Sequence, residues 1–382
     1  MNWCPVLFSI NNEINMSKQL LFICMLLILF GCSRSDQYNL DFHTKSIEVQ
    51  EEPVRLIGKR LGVSDSLYQP MKLAVFSDKN GQLMAVVSDR SKQPPLHYLN
   101  LTQDEYLTGM GRSGKGPGEF VNAGSVYYDA KINQAIIVDP MQQRLTFIDP
   151  NKPVDSLKNL HQTEPRVLNL EFRGLPFDLL KLQNDRYAAI GPMRVNSSQK
   201  FAFIDSSGQQ TQHIGTIPDY ESINLPPAKQ HLSWRAYGTK NRAGTRFAAA
   251  YYNMDLFEIF NNDGERIQAV RGPHFSPLIV SSQDGVTQLS KEHTRTGYIA
   301  VTAQDGYIYG LYSGRKLDHP QRNMANMLLI LDWDGNFITS YKLDRNVFEF
   351  AVSPAGKYLF AIVNDEDAAE SGLYRYDLPH PK

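Results

Sequence analysis

Residues 244–264 read GTRFAAAYYNMDLFEIFNNDG and contain the repeating unit from which the fold is predicted. An apolar run at 247–251 is followed by a second run that ends at Asn261, and then by the turn signal Asp263-Gly264. Glycine tolerates the positive φ that tight hairpin turns require. The stretch therefore predicts two neighbouring antiparallel strands. Its continuous apolar runs indicate strands that are buried on both faces.

This unit recurs along the chain, at intervals of 49, 56, 56, 71 and 45 residues. Repeats of this size have room for four strands each and indicate a repeat architecture. We predict an all-β fold, a six-bladed β-propeller over residues 46–382, because a ring of blades leaves only short edges exposed. A pair of β-sandwiches would not explain six repeats. The Asp or Asn that ends each unit is Asn100, Asp149, Asp205, Asn261, Asp332 or Asp377.

The last repeat is short and lacks an outer strand after Asp377. Residues 46–58, SIEVQEEPVRLIG, include an alternating stretch ahead of the first repeat. Alternation of apolar and polar residues is typical of a half-buried strand. We therefore expect this N-terminal segment to close the ring by pairing in the final blade.

Composition limits the function classes that are open to the chain. It has 382 residues, a net charge of −1, 42% hydrophobic residues and 21% charged residues, as expected for an ordered globular protein. The near-neutral charge gives no indication of nucleic-acid binding. The three cysteines, Cys4, Cys24 and Cys32, all lie near the amino terminus. This distribution excludes a disulfide scaffold and a cysteine zinc site in the body of the chain.

The amino terminus has the pattern of an export signal. Residues 20–30, LLFICMLLILF, are too few to cross a ~30 Å hydrocarbon core as a helix, but they fit the apolar part of a signal peptide. Leu29-Phe30-Gly31-Cys32 resembles the lipobox of bacterial lipoproteins. We predict a signal peptide over 1–31 with the true start at Met16, a lipidated Cys32, and a tether over 32–45. An ordinary cleaved signal peptide is the alternative.

The glycine-rich stretch 109–120, GMGRSGKGPGEF, matches two nucleotide-binding patterns by letters alone. Both patterns require a helix directly afterwards, and Gly116-Pro117-Gly118 is unsuited to start one. No nucleotide is therefore predicted to bind. The stretch instead resembles the loop of NHL-type propeller repeats. The matching residues are Gly114, Gly116, Pro117, Gly118, Glu119 and Phe120 in the loop, and Ile136, Val138, Asp139 and Arg144 in the strands that follow.

A wider resemblance covers the whole chain. The lipobox, the GPGEF loop, residues 244–264 and the segment 358–367, YLFAIVNDED, are similar to TolB-like six-bladed propeller lipoproteins of Bacteroidetes. The resemblance implies the fold and an envelope location, with a lipid anchor in the outer membrane and a body in the periplasm or at the surface. It supplies no catalytic residues, and a role in a Tol complex does not follow from shared architecture.

Chemical motifs are sparse. The nine histidines include no pair at metal-ligand spacing, and no nucleophile-elbow motif occurs. We therefore predict no catalytic residue, no metal ligand and no cofactor. Residues 364–367, NDED, could hold Ca²⁺, but they lack the order of a calcium loop.

Two long connections provide the candidate binding residues. Residues 225–242 combine aromatic, cationic and hydrogen-bonding side chains, which are common anchors of binding surfaces, and residues 276–296 form a second insertion. The alternative is a structural role, in which Trp234 packs between blades and Arg235 pairs with a neighbour. The candidates are His231, Trp234, Arg235, Tyr237, His293 and Arg295.

These observations predict an envelope lipoprotein that acts as a binding or interaction module for a peptide, a glycan or a partner protein. One alternative is a metal-dependent hydrolase or lactonase, whose ligands would converge in the central tunnel from different blades. Another is a purely structural envelope protein.

Overall fold

The computed structural model describes residues 44–48, 52–90, 94–171, 174, 176–191, 199–217, 232–276, 278–283, 286–304, 306–364 and 370–381. These residues all belong to one compact unit, Leu40–Lys382. The signal peptide and Cys32 lie outside the described residues. The structure begins with three short strands, β1 (Thr44–Ser46), β2 (Val54–Leu56) and β3 (Lys59–Arg60).

Three antiparallel four-stranded sheets follow, each with its strands in chain order. Sheet 1 comprises β4 (Pro70–Ser77), β5 (Leu83–Asp89), β6 (Leu96–Asn100) and β7 (Glu105–Met110). The glycine-rich loop contains β8 (Arg112–Ser113) and β9 (Glu119–Phe120). Sheet 2 comprises β10 (Ser125–Asp129), β11 (Gln134–Asp139), β12 (Arg144–Ile148) and β13 (Arg166–Asn169), with helix α1 (Val154–Lys158) before β13. Sheet 3 comprises β14 (Asp178–Lys181), β15 (Tyr187–Ile190), β16 (Gln199–Ile204) and β17 (Gln210–Thr216).

Two larger sheets complete the described chain. Sheet 4 comprises β18 (Ala236–Lys240), β19 (Arg246–Tyr251), β20 (Leu256–Asn261) and β21 (Arg266–Arg271), and β1 pairs with β21 as a fifth strand. A separate hairpin contains β22 (Val280–Gln283) and β23 (Val286–Leu289). Sheet 5 has eight strands, including β2 and β3. Its others are β24 (Tyr298–Gln304), β25 (Tyr307–Tyr312), β26 (Ala325–Asp332), β27 (Phe337–Val352), β28 (Tyr358–Val363) and β29 (Gly372–Asp377).

The sheet count differs from the expected six separate sheets. Four sheets have four or five strands, whereas sheet 5 has eight. The reason is the 16-residue strand β27. Tyr341 in its first half pairs with Leu328 of β26, and Phe350 in its second half pairs with Ala361 of β28. The chain thus passes from one set of strands to the next without a break in strand structure.

The N-terminal segment also differs from expectation. Residues 46–58 were expected to pair in the final blade, but β1 pairs with β21 and β2 pairs with β27. Only β3, which lies just beyond that segment, pairs with β29. In addition, β1 begins at Thr44, within the expected tether. An alternating pattern identifies a strand, but several sheets offer an unpaired edge, and the pattern does not select among them.

The core confirms that the continuous apolar strands are buried on both faces. All four residues of β15 are buried, as are five of the six residues of β19. Neighbouring sheets approach so closely that a Cβ on Gly238 would lie 2.6 Å from the Ile190 side chain. Only glycine fits at that point, because protein interiors are close-packed.

The recurring Asp and Asn residues have a common structural role. Five of the six accept a backbone hydrogen bond from the residue two positions further along, whereas at Asp377 that residue is Pro379, which has no N–H. Such side-chain acceptors stabilise tight turns. The N–H groups are those of Thr102, Asn151, Ser207, Asp263 and Asp334, and they lie 2.9–3.1 Å from Asn100, Asp149, Asp205, Asn261 and Asp332, respectively.

The glycine-rich loop is filled by contacts within the chain. Arg144 Nη1 donates to the carbonyl oxygens of Lys115 and Gly116, at 3.0 and 3.2 Å. Gly118 has a φ of +67°, and a Cβ there would lie 2.7 Å from the backbone of Leu160. The loop therefore packs on the segment after α1 and is followed by β10 rather than by a helix. Within the described ranges, no helix is long and apolar enough to cross a membrane.

Candidate binding site

The two ends of the sheets differ. In each sheet the first strand starts at the end where the second strand connects to the third, and we call this the loop end. The turns made by the recurring Asp and Asn residues lie at the opposite end, the turn end. The connections 111–124, 217–235, 272–297 and 313–324 run between strand ends at the loop end, whereas the long connection 149–165, which contains α1, runs between strand ends at the turn end. Binding residues in repeat folds are most often carried by such connections.

Charged and aromatic side chains from different sheets meet where the first strands begin. We call them the inner cluster, which comprises Lys72 of β4, Asp178 of β14, Arg235 just before β18, Tyr237 of β18 and Glu349 of β27. Each lies close to the start of a first strand, or of the second half of β27. That shared position brings together residues that are far apart in the sequence.

Both carboxylates of the inner cluster are engaged. Lys72 Nζ forms an ion pair with Glu349 Oε2. Asp178 Oδ1 accepts a hydrogen bond from Ser125 Oγ at 3.1 Å, and Asp178 Oδ2 accepts one from the Gly238 N–H at 2.8 Å. The Lys72 side chain keeps 23% of its surface exposed and that of Glu349 keeps 9%. Solvent therefore reaches this pair.

The electrostatics keep Lys72 protonated. Burial alone would lower its pKa, but the carboxylates of Glu349 and Asp178 outweigh burial and raise the pKa above its ordinary value. Burial raises the pKa of Asp178 and of Glu349. An amine acts as a nucleophile only when it is deprotonated. Lys72 is therefore a fixed positive charge at neutral pH.

Arg235 is the most unusual member of the inner cluster. Its guanidinium carbon lies 4.6 Å from the ring centroid of Phe177, 5.1 Å from that of Tyr237 and 4.7 Å from that of Tyr252. Its Nη2 donates to the Tyr237 hydroxyl. Its Nε is buried without a hydrogen-bond partner. No carboxylate among the described residues forms an ion pair with Arg235.

The structure separates two adjacent candidate residues. Arg235 and Tyr237 are in contact within the inner cluster, but Trp234 points between sheets 3 and 4. Its ring meets Tyr251 edge-on at 5.4 Å and lies 4.5 Å from Lys200 Nζ. Only 3% of Trp234 is exposed, and its side chain lies in the core between the sheets, as the alternative interpretation expects.

The second loop contributes to the same end of the sheets. His293 is exposed, and its Nδ1 lies 3.0 Å from Ser290 Oγ. Arg295 Nη1 donates to the Gly314 carbonyl at 2.7 Å and so ties its connection to the neighbouring one. Neither residue has a contact with the inner cluster in the described part of the chain. His231 and residues 365–367 of the possible calcium segment lie outside it.

A second charged group lies beneath Trp234. We call it the interior network, which comprises Lys200, Tyr251, Glu258 and Arg266. Glu258 accepts hydrogen bonds from Lys200 Nζ at 2.8 and 3.0 Å, from Arg266 Nη1 at 3.0 Å and from the Tyr251 hydroxyl. Burial alone would raise the pKa of Glu258, but Lys200 and the other donors lower it to about 2. Lys200 and Glu258 are enclosed, whereas 28% of the Arg266 side chain is exposed. The buried pair serves the packing of sheet 3 on sheet 4.

The described residues do not assemble the metal site of a hydrolase. Over the ranges given above, no group of three or more His, Cys, Asp and Glu side chains is placed to hold a metal ion. In the inner cluster the two acidic side chains already have the ammonium of Lys72 as their counter-charge.

Lys72, Asp178 and Glu349 were missed in the sequence. Each is the single charged residue of a short apolar stretch, in PMKLAVF (70–76), FDLL (177–180) and VFEFAV (347–352). A search for such interruptions would have found all three. Their mutual contact could not have been read from the sequence, because it depends on the arrangement of the sheets.

Antiparallel sheets whose first strands converge on one another define a β-propeller. The profile of the family described as TolB-like 6-blade propeller-like matches residues 56–355, and the chain belongs to this family. This match confirms the resemblance to TolB-like propellers. No curated protein sequence matches the chain.

Two solved structures from Bacteroides species are similar in fold. One is a member of the DUF4221 family from Bacteroides vulgatus, with 10% identity and a TM-score of 0.52, covering 87% of this chain and 98% of that one. The other is a protein of Bacteroides fragilis assigned as exported, with 13% identity and a TM-score of 0.52, covering 89% of this chain and 99% of that one. At such low identity the likeness concerns the fold alone.

Proposed function

We propose that this chain is a ligand-binding propeller of the bacterial envelope, and that the inner cluster is the centre of its binding site. The observation that carries the proposal is Arg235, a cation surrounded by three aromatic rings and without an ion-pair partner among the described residues. Arginine and aromatic residues dominate binding energies at protein surfaces. Tyr237 belongs to the same site, and His293 and Arg295 extend the binding surface at the loop end. The ligand is a peptide, a glycan or a segment of a partner protein.

We count six blades by dividing sheet 5 within β27. The first blade of the pair contains β24, β25, β26 and residues 337–343, and the second contains residues 347–352, β28, β29 and β3. The ion pair between Lys72 of β4 and Glu349 of β27 supports a neighbouring position for the first and last blades. The pairing of β3 with β29 supports closure of the ring by the N-terminal chain. The family's description as a 6-blade propeller is consistent with this count.

The protein reaches its site of action by export and lipid anchoring at Cys32. The lipobox-like Leu29-Phe30-Gly31-Cys32 and the exported relative in Bacteroides fragilis support this location. We expect Cys32→Ser to abolish lipid labelling and membrane partitioning. A variant that partitions like the wild type would refute the anchor.

Ligand binding is tested by thermal denaturation of the mature protein in detergent. The probes are a panel of neutral and acidic monosaccharides, amino acids and short peptides. We expect at least one probe to raise the unfolding temperature of the wild type and to lose that effect in Arg235→Ala. Binding stabilises the folded state by mass action.

Arg246→Ala is the matched control, because Arg246 is a partly exposed arginine at the turn end, paired with Asp334 at 2.8 Å. It should leave the ligand-induced shift intact. A shift that persists in Arg235→Ala, or the absence of any shift across the panel, would contradict the proposed site.

A further inference from the structure

We propose that the inner cluster binds a single carboxylate group of its ligand, held by the free end of the Arg235 guanidinium. This inference rests on the proposed function and specifies the ligand chemistry of the same site. It is carried by the unused hydrogen-bond donors of Arg235, by the aromatic rings around it and by the charges beside it.

The donors of Arg235 are largely unused. A guanidinium has five N–H donors. Within the described residues, Arg235 uses one of them, on the Tyr237 hydroxyl, and its Nε is buried without a partner. The Nε is buried and does not face a ligand. The two hydrogens of Nη1 and the second hydrogen of Nη2 have no acceptor among the described residues and can each take one from a ligand.

The aromatic rings restrict how that ligand can approach. Phe177, Tyr237 and Tyr252 have their ring centroids 4.6–5.1 Å from the guanidinium carbon. Rings that cover the faces of a guanidinium leave its N–H edge as the place for a ligand. A carboxylate fits this edge, because its two oxygens can accept two parallel N–H bonds in one plane. The stacked rings also hold Arg235 in position before the ligand arrives.

The neighbouring charges favour a monoanion. Lys72 is already paired with Glu349, and Asp178 is engaged by Ser125 and Gly238. Among the described residues Arg235 has no carboxylate at ion-pair distance, although Asp178 feels its charge from further away. A dianion such as phosphate would be repelled by Asp178 and Glu349 more strongly than a single carboxylate, which carries less negative charge.

The test uses two matched pairs of small probes that differ only in the carboxylate. N-acetylglycine and its amide represent the end of a peptide, and glucuronate and glucuronamide represent an acidic sugar. Binding to the mature protein is measured by ligand-observed NMR titration, with inorganic phosphate as a third arm. We expect the acid of at least one pair to bind at least tenfold more tightly than its amide and than phosphate.

Variants of Arg235 test whether this residue binds the carboxylate. Arg235→Ala should weaken binding of the preferred acid at least tenfold, and Arg235→Lys should restore only part of it, since an ammonium cannot form the two parallel bonds. Arg246→Ala should bind like the wild type. Circular dichroism of each variant confirms that it is folded.

Each remaining outcome is decisive. If an amide binds as well as its acid and Arg235→Ala weakens both, the carboxylate inference is wrong while the proposed binding site stands. If the acids bind equally well to Arg235→Ala, the site itself is wrong. Binding of phosphate in preference to both acids, or of none of the probes, would overturn the carboxylate inference.

Discussion

Two lysine–glutamate pairs lie near residues 234 and 235, and they differ in how completely they are satisfied. In the interior network, Glu258 accepts hydrogen bonds from Lys200, Arg266 and Tyr251, and the exposed fractions of the Lys200 and Glu258 side chains are 4% and 0%. In the inner cluster, Lys72 and Glu349 retain 23% and 9%, and the adjacent Arg235 has donors that no acceptor among the described residues uses.

The comparison shows that charge alone does not identify a binding site. Trp234 and Arg235 are neighbours in the chain, but Trp234 covers the interior network and Arg235 joins the inner cluster. A charged group with all of its hydrogen bonds made within the protein serves packing. A charged group with free donors and access to solvent is available to a ligand.

The largest expected effect is on the interior network. Glu258→Ala leaves Lys200 and Arg266 facing each other without the carboxylate that both donate to. Breaking a buried ion pair from one side costs about 3–5 kcal/mol, and we expect that loss in the free energy of unfolding measured with urea. Asp334→Ala is the control, because Asp334 is largely exposed, and it should cost under ~1 kcal/mol. Equal losses in the free energy of unfolding for the two variants would contradict the assignment of Glu258 to a buried network.

Lowering the pH should destabilise the interior network through the protonation of Glu258. The pKa of Glu258 is about 2 in the folded protein, below the ~4.3 of an unfolded glutamate. Its contribution to stability is therefore complete above the unfolded value and is lost as the pH falls through the folded value. The loss is roughly 3 kcal/mol, at about 1.4 kcal/mol per pKa unit. Urea midpoints between pH 5 and pH 2 should fall more steeply for the wild type than for Glu258→Gln. Parallel curves would refute this assignment.

The loss of Lys72 from the inner cluster should cost less stability than the loss of Glu258 from the interior network. Lys72→Met leaves Glu349 without its partner, but burial already raises the pKa of Glu349, so the carboxyl can take up a proton. We expect a loss of about 1–2 kcal/mol in the free energy of unfolding, with part of it recovered in Lys72→Met/Glu349→Gln. A cost as large as that of Glu258→Ala would show that the inner cluster is as structural as the interior network.

The smallest effect on stability is expected at Arg235. Arg235→Ala removes a side chain that has no carboxylate at ion-pair distance among the described residues, and Asp178, which feels the charge of Arg235 from further away, keeps its hydrogen bonds to Ser125 and Gly238. The free energy of unfolding should fall by less than ~1 kcal/mol, mostly through lost packing against the rings. The adjacent Trp234→Ala should cost about 3–5 kcal/mol, because it empties a fully buried position. A reversal of this order would contradict the assignment of the two residues to different regions.

Part of the fold could be predicted from local patterns. Apolar runs followed by Asp or Asn and a turn predicted repeated antiparallel strands, because such side chains accept the backbone hydrogen bonds of a tight turn. The merging of strands in β27 and the edges chosen by β1, β2 and β3 could not be predicted in this way. Those pairings depend on which sheet edge lies nearest in space.

The candidate site was predicted less completely. Arg235 and Tyr237 stood out as an aromatic and cationic group within one loop, and they are in contact. Lys72, Asp178 and Glu349 are more than 270 residues apart at the extremes and have no common motif. They could not be grouped without knowledge of where the first strands begin.

The sequence by itself determined the repeat, the all-β class and the apolar strands, because these depend on hydrophobic periodicity and local turn chemistry. Only the tertiary structure decided which charges are enclosed and which remain open. Trp234 and Arg235 both lie in the segment just before β18, where Trp234 packs between sheets 3 and 4 while Arg235 joins the inner cluster. Whether a lysine or arginine finds all of its partners depends on the neighbouring sheets, and those come from distant parts of the chain.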